Sequence, residues 1–324
     1  WERMAMSIDV TFLIAAFNAE ETIARAIGSA LAQEGVGVEV LVVDDCSTDA
    51  TAAIAESFPD ERVRVIRLGG DRGPGGARNA GLDAARGRWI AVLDADDTVR
   101  PGRMERLLQR VAATGFEIVV DNLEVADEAT GTTTHMFGIE RLRATPEMTL
   151  ADFIAGNHLF EERFSLGYMK PLVRRDFLER HSLRYIETIR IGEDYLLLAS
   201  ALAKGGRCAV EPEPFYAYHV RPGSISRVLD LRHVETMLDA DEAFLRDHTL
   251  DTAARRAQAR RTRNLRKAAS YLSLVGHLKE RAALKAAATA IRNPAAVRLL
   301  GMPISVRLRR VVRPFRRAGR VAAE

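Results

Sequence analysis

The chain opens on a regular exchange of two patterns. Val10-Thr11-Phe12-Leu13-Ile14-Ala15 is a continuous apolar run of strand length, and residues 20–33 follow with Ile23, Ile27, Ala30 and Leu31 at helical spacing. The exchange repeats: residues 38–43, 63–68, 89–93 and 117–120 read as strands, with helical segments ending near Ser57, spanning 75–85, and beginning at Pro101, a residue favoured in the first helical turn. Unbroken apolar strands are buried on both faces. The pattern therefore predicts an α/β fold, Rossmann-like, with a mainly parallel sheet and flanking helices. Residues 123–148 are Thr-rich and predict a hairpin with loops, 150–220 return to helix and strand, and the spacing after Leu229 is helical almost throughout. The expected division is an N-terminal extension (1–8), an α/β domain (9–227) and a helical, basic C-terminal region (228–324).

Bulk composition narrows the class. The 324 residues are 47% hydrophobic and 28% charged, ordinary for a folded soluble chain. The 2 cysteines, Cys46 and Cys208, supply neither a disulfide framework nor a Cys-based zinc site. No run approaches the ~18–20 apolar residues that span a bilayer, and the opening WERMAMSIDV lacks an apolar core segment. Neither a membrane span nor a signal peptide is expected, and the expected location is cytoplasmic, peripheral on the inner face of the cell membrane.

The net charge of +3 hides an asymmetry: from Arg255 onward the only acids are Glu280 and Glu324, so the preceding part is net acidic. Leu265, Ala268, Leu272, Val275 and Leu278 form one helical apolar face. Ile304, Leu308, Val311, Val312 and Phe315 repeat that spacing among Arg307, Arg309, Arg310, Arg313, Arg316 and Arg317. The last segment has the profile of a helix on an anionic membrane surface, and residues 229–285 are expected to pack on the domain. A homodimer interface is the alternative. No aromatic residues interleave the arginines, which argues against nucleic acid.

Ligands of parallel α/β sheets bind at the carboxyl ends of the strands. There the sequence reads VLDADDT. Asp94 and Asp96 lie two apart and share a face in extended geometry. Oxygen-only clusters of this kind suit Mg²⁺ or Mn²⁺, completed by water and phosphates. Mutual repulsion of the acids calls for a positive partner, which this reading assigns to the dication. The alternative is a helix cap, which accounts for Asp97 or Thr98 alone. One strand earlier, VVDDCSTDAT places Asp44 and Asp45 where a carboxylate can accept from a base N–H or ribose hydroxyls. GGDRGPGGARNAG matches neither a phosphate-binding P-loop nor a dinucleotide fingerprint. Its Arg78 supplies a fork for phosphate or base oxygens. In YHVRPGSISR, His219 is a candidate extra metal or phosphate contact, and Arg221, Ser224 and Ser226 are candidate diphosphate contacts.

Taken in order, LIAAFNAEETI, VLVVDDCSTDAT, GGARNAGLDAARG, WIAVLDADD and IGEDYLLL resemble the inverting family 2 glycosyltransferases of the GT-A fold, over about residues 9–227. Within that family the similarity is to bacterial exopolysaccharide glucosyltransferases of the succinoglycan type. The resemblance implies transfer of a sugar, glucose from UDP-glucose, to an acceptor hydroxyl, with Mg²⁺ or Mn²⁺ as cofactor. It implies that Ala15, Phe17 and Asp45 hold the nucleoside, that Arg78 sits near the base or diphosphate, and that Asp94 and Asp96 form the D-x-D element. It implies that an acid of the pair Glu193 and Asp194 is the catalytic base that attack by a hydroxyl requires, and Asp194 is the favoured one. No Q-x-x-R-W element or transmembrane helix accompanies these motifs, so one sugar per event is expected. LGYMKPLVRRDFL resembles the family's acceptor-side segment, where Lys170, Arg174 and Arg175 face either an anionic acceptor or solvent. The rival readings are a sugar-phosphate nucleotidyltransferase, whose basic glycine-rich loop after the first strand is absent here, and a sugar-nucleotide binding protein without catalysis.

Overall fold

The computed structural model describes residues 8–161, 164–220 and 229–301. Its strands are β1 (Val10–Ala16), β2 (Val38–Asp44), β3 (Val63–Arg67), β4 (Trp89–Val92), β5 (Thr98–Val99), β6 (Ile118–Asp127), β7 (Thr132–His135), β8 (Glu147–Met148), β9 (Leu172–Arg174) and β10 (Cys208–Val220). They form one sheet in the order β3-β2-β1-β4-β9-β6-β10-β5, with β7 beside β6 and β8 beside β10. The first four apolar runs make its parallel half: Leu13 of β1 stands between Leu41 of β2 and Val92 of β4. All four therefore end at one edge, which is where Asp44 and Asp94 follow. Phe12, Leu13, Ile14, Val40, Leu41 and Val42 are fully buried. The helices Ile23–Leu31 and Gly73–Ala84 pack against this half of the sheet.

The second half departs from a purely parallel plan. β9 runs antiparallel between β4 and β6, and β6 and β10 are parallel. β6 continues well past Val120 because its polar residues are satisfied inside. Asp121 pairs with Arg103 at 2.7 Å, both side chains fully buried. Asn122 donates to Phe137 O and Pro212 O and accepts from Phe137 N. The hairpin expected after Leu123 is β6–β7.

The C-terminal helices begin with Leu231–Asp247 and Thr252–Lys279, capped by Asp230 and Asp251. Thr252–Lys279 lies on the short helix Leu150–Ala155. Val234, Met237, Leu265 and Ala268 form a second small core with Leu159, Phe160 and Ile191 of the α/β domain. Ala283–Arg292 and Pro294–Arg298 return along the long helix. Among the described residues no helix is long and apolar enough to cross a membrane. The basic segment 304–317 lies outside the described residues.

Candidate active site

Lys170 owes its position to strand direction. Ala91 of β4 pairs with Leu172 of β9 in antiparallel register. An antiparallel strand begins where its parallel neighbours end, so Lys170, two residues ahead of β9, stands level with the tip of β4. Its ammonium donates to Asp94 Oδ2 at 2.7 Å and to Asp194 Oδ2 at 2.6 Å. Arg78, from the helix Gly73–Ala84, donates through Nη2 to Asp94 Oδ1 at 2.8 Å and through Nη1 to Glu193 Oε1 at 2.6 Å. Asp194 Oδ1 is 3.2 Å from that same Nη1. The Tyr185 ring lies 5.4 Å from the guanidinium. Glu193 and Asp194 open the helix Glu193–Ala203, whose N-terminal dipole favours acids. The preceding Gly192 sits at φ +95°, where glycine carries no steric penalty.

The positive partner that the strand-tip acids require is thus built from the chain itself, which corrects the reading that a metal ion alone must supply it. Burial by itself would raise the Asp94 carboxyl, but the charges of Lys170 and Arg78 overcome burial and hold it at about 2. Burial works against the Lys170 charge as well, and Asp194 with Asp94 outweighs it, keeping the amine well above its usual value. Glu193 moves the other way, raised by burial and then by the Asp194 charge.

Asp97 is neither a ligand nor a helix cap. It is fully buried and accepts from Tyr216 Oη and from the His219 N–H, each at 2.8 Å. Burial, then the charges of Asp94 and Asp96, pushes its carboxyl well above the usual range. Tyr216 Oη also accepts the Asp94 N–H at 3.1 Å, and its ring rests 5.3 Å from the Arg103 guanidinium. Arg103 in turn donates to Lys170 O at 2.8 Å. One interior network therefore fixes the backbone of both Asp94 and Lys170.

A cavity of about 810 Å³ opens over this cluster. Ala15, Phe17 and Asn18 line one side, with Phe17 51% exposed. Asn18 is tied down by Thr48 N, which donates to its Oδ1 at 2.9 Å. Arg78, Asp94, Asp96, Lys170, Glu193 and Asp194 form the floor, and Asn157, Tyr168, Met237 and Arg261 the far wall. Arg261, from the C-terminal region, is buried: it pairs with Asp241 at 2.9 Å, donates to Asn157 O at 2.8 Å and stacks 3.8 Å over Tyr195. Nothing in the sequence marks it as part of this wall.

Other predicted residues fall elsewhere. Asp45 is buried and accepts Arg72 N–H at 2.8 Å, and it does not line the cavity. The His219 ring lies between Thr98 Oγ1 at 3.0 Å and Glu128 Oε1 at 3.2 Å, and it is not among the residues that line the cavity. Arg221, Ser224 and Ser226 lie outside the described residues. Among the described residues, no three His, Cys, Asp or Glu side chains converge closely enough to hold a metal ion. Both Asp94 oxygens are engaged by cationic side chains, while Asp96 also lines the cavity. A hard dication that takes one or two carboxylates and completes its shell with water and phosphate oxygens fits this donor set.

Acidic strand tips at the carboxyl edge of a sheet, sharing one cavity floor with an acid at a helix start, are what a GT-A glycosyltransferase presents. Residues 11–178 match the model of glycosyl transferase family 2. The chain is 57% identical over 307 residues to the succinoglycan biosynthesis protein ExoO of Rhizobium meliloti, covering 95% of this chain and 88% of that protein. Its fold is similar to residues 1–349 of S. aureus TarS in complex with UDP-GlcNAc (TM-score 0.61, 21% identity, 76% of this chain and 68% of that fragment). It is also similar to the mannosyltransferase PcManGT of Pyrobaculum calidifontis in complex with GDP-Man and Mn²⁺ (TM-score 0.57, 19% identity, 94% and 83%). The chain belongs to glycosyltransferase family 2 and is an enzyme of the hexosyltransferase class.

Proposed function

We propose that this enzyme transfers glucose from UDP-glucose to a hydroxyl of a lipid-linked saccharide during exopolysaccharide assembly, inverting the anomeric configuration and adding one sugar per event. One observation carries the reading: Asp194, at the first turn of its helix, lines the same cavity as the strand-tip acids Asp94 and Asp96. The similarity to ExoO supports the exopolysaccharide role. A lipid-linked acceptor places the enzyme at the inner face of the cell membrane.

Asp194 takes the acceptor proton as the hydroxyl oxygen attacks the anomeric carbon and the bond to the diphosphate breaks, UDP leaving with the electron pair. Its Oδ2 is held at 2.6 Å by Lys170, so Oδ1, with the looser 3.2 Å contact to Arg78, is the oxygen that receives the proton. Phe17 and the Asn18 turn border the nucleoside. Asp96 and Asp94 would hold Mg²⁺ or Mn²⁺, which when bound would offset the charge gathering on the departing diphosphate. A nucleotidyltransferase reading is disfavoured by the loop after β1. Its backbone N–H groups at Asn18, Ala19 and Glu20 are taken by Ser47, Thr51 and Asp49, leaving none of the three to cradle a phosphate.

The test is UDP release by purified protein given UDP-glucose, Mn²⁺ and a lipid-linked acceptor. Sugar-dependent release that chelation abolishes and Mn²⁺ restores is the expected result. Pyrophosphate formed from UTP and a sugar phosphate would overturn the assignment.

A further inference from the structure

Among the described residues, exposed large apolar side chains stand singly as far as Leu245 and then recur along the last helices. Phe17, Ile186 and Leu245 stand apart, whereas Leu278, Leu284, Ile291 and Val297 follow one another along the final helices. The helix Ala283–Arg292 shows why. Its Ala286 is buried on the inner side, beneath the long helix Thr252–Lys279. Leu284 and Ile291, two turns apart on the opposite side, are 88% and 80% exposed. Lys285 and Arg292, each one residue further on, flank this stripe, and Arg281 and Arg298 sit at its two ends. After Glu280 no acid occurs until Glu324.

We infer that this face, centred on Leu284 and Ile291 with Val297 beside them, docks the enzyme on an anionic lipid bilayer. The apolar side chains enter the boundary between headgroups and acyl chains, and Lys285, Arg292 and Arg298 meet the lipid phosphates. Charge decides the occupant. A second copy docked on the same face would bring Lys285 and Arg292 against their own counterparts, with no acid after Glu280 to answer them. A nucleic acid would leave the exposed leucine and isoleucine without a role. The sequence pattern places membrane contact at 304–317; the structure adds a face that precedes that segment in the chain. The inference deepens the membrane placement proposed above and rests on it only for the choice of leaflet.

The experiment is co-sedimentation of the full chain with phosphatidylcholine vesicles, with and without phosphatidylglycerol, in the absence of any sugar donor. The wild type is expected to pellet only with the anionic vesicles and to be released by high salt. The double variant Leu284→Ser/Ile291→Ser is expected to bind about tenfold more weakly or worse, and its circular dichroism and UDP-glucose hydrolysis to stay unchanged, since both side chains are exposed. A double variant that binds like wild type overturns the proposal, as does failure of the wild type to pellet. So does a wild-type dimer that the double variant splits into monomers by light scattering while vesicle binding is unaltered, which would assign the face to a second copy. Loss of UDP release with vesicle binding intact would instead count against the assigned reaction.

Discussion

Lys170 and Arg78 hold three carboxylates on one cavity floor, and each acid there answers to a different balance of forces. Removing one partner of a buried charge cluster leaves the others uncompensated, at roughly 3–5 kcal/mol. Lys170→Met is therefore expected to lower the unfolding free energy by that order and to cut kcat more than Lys170→Arg, measured by denaturant titration and UDP release. Asp194→Asn removes the proposed base. Turnover should fall by about 10²–10⁴-fold or more, with UDP binding retained in calorimetry. Asp96→Ala should weaken Mn²⁺-dependent UDP binding in the same experiment.

Glu39, away from the site, gives a pH signature. Burial would raise its carboxyl, but bonds from Thr11, the Arg86 N–H and Arg64 hold it below the usual value. A depressed carboxyl contributes stability that is present above the unfolded value near 4.5 and is lost as pH falls through the folded one. Glu39→Gln should thus cost roughly 1–3 kcal/mol at pH 7, and the gap to wild type should narrow below pH 4.5. The acids of the site were legible because acidic residues rarely end apolar runs without cause. Lys170 was not: in LGYMKPLVRRDFL it resembles its solvent-facing neighbours, and only strand direction reveals where it goes.

Elements that carry their own pattern emerged directly. β1 to β4 are uninterrupted apolar runs, long enough to be strands without tertiary context. β9 has three residues and no local signature. β10 spans Cys208–Val220 through Glu211, Pro212, Glu213 and Pro214, which break any periodicity. The sheet accommodates them as register shifts against β6. The end of β6 was set too early because Asp121-Asn122 looks like a turn until Arg103 and Phe137 are seen to satisfy it. Element packing yields its own prediction at Gly87. A Cβ there would meet Thr11 N at 2.4 Å and Val10 C at 2.7 Å, main-chain atoms that cannot rotate away. Gly87→Ala should destabilise by about 1–3 kcal/mol or more, seen as a lower Tm with unaltered donor affinity in the folded fraction.

At the scale of the molecule, the C-terminal helices help to wall the candidate site, through Met237 and Arg261. Their charge asymmetry was visible in the sequence, but their seat on Leu150–Ala155 was not, because the contacts between Arg261 and Asn157 join positions 104 residues apart. That link has a practical corollary for redesign. Suppose a hybrid were assembled by splicing the first 230 residues of this enzyme to the tail of a distant cousin. The donor tail would arrive without a guanidinium shaped to the wall it must complete, and the hybrid should lose turnover. Crossovers that carry the strip around Asn157 together with the long helix should keep it, so the unit of exchange in this enzyme is a pair of segments far apart in sequence.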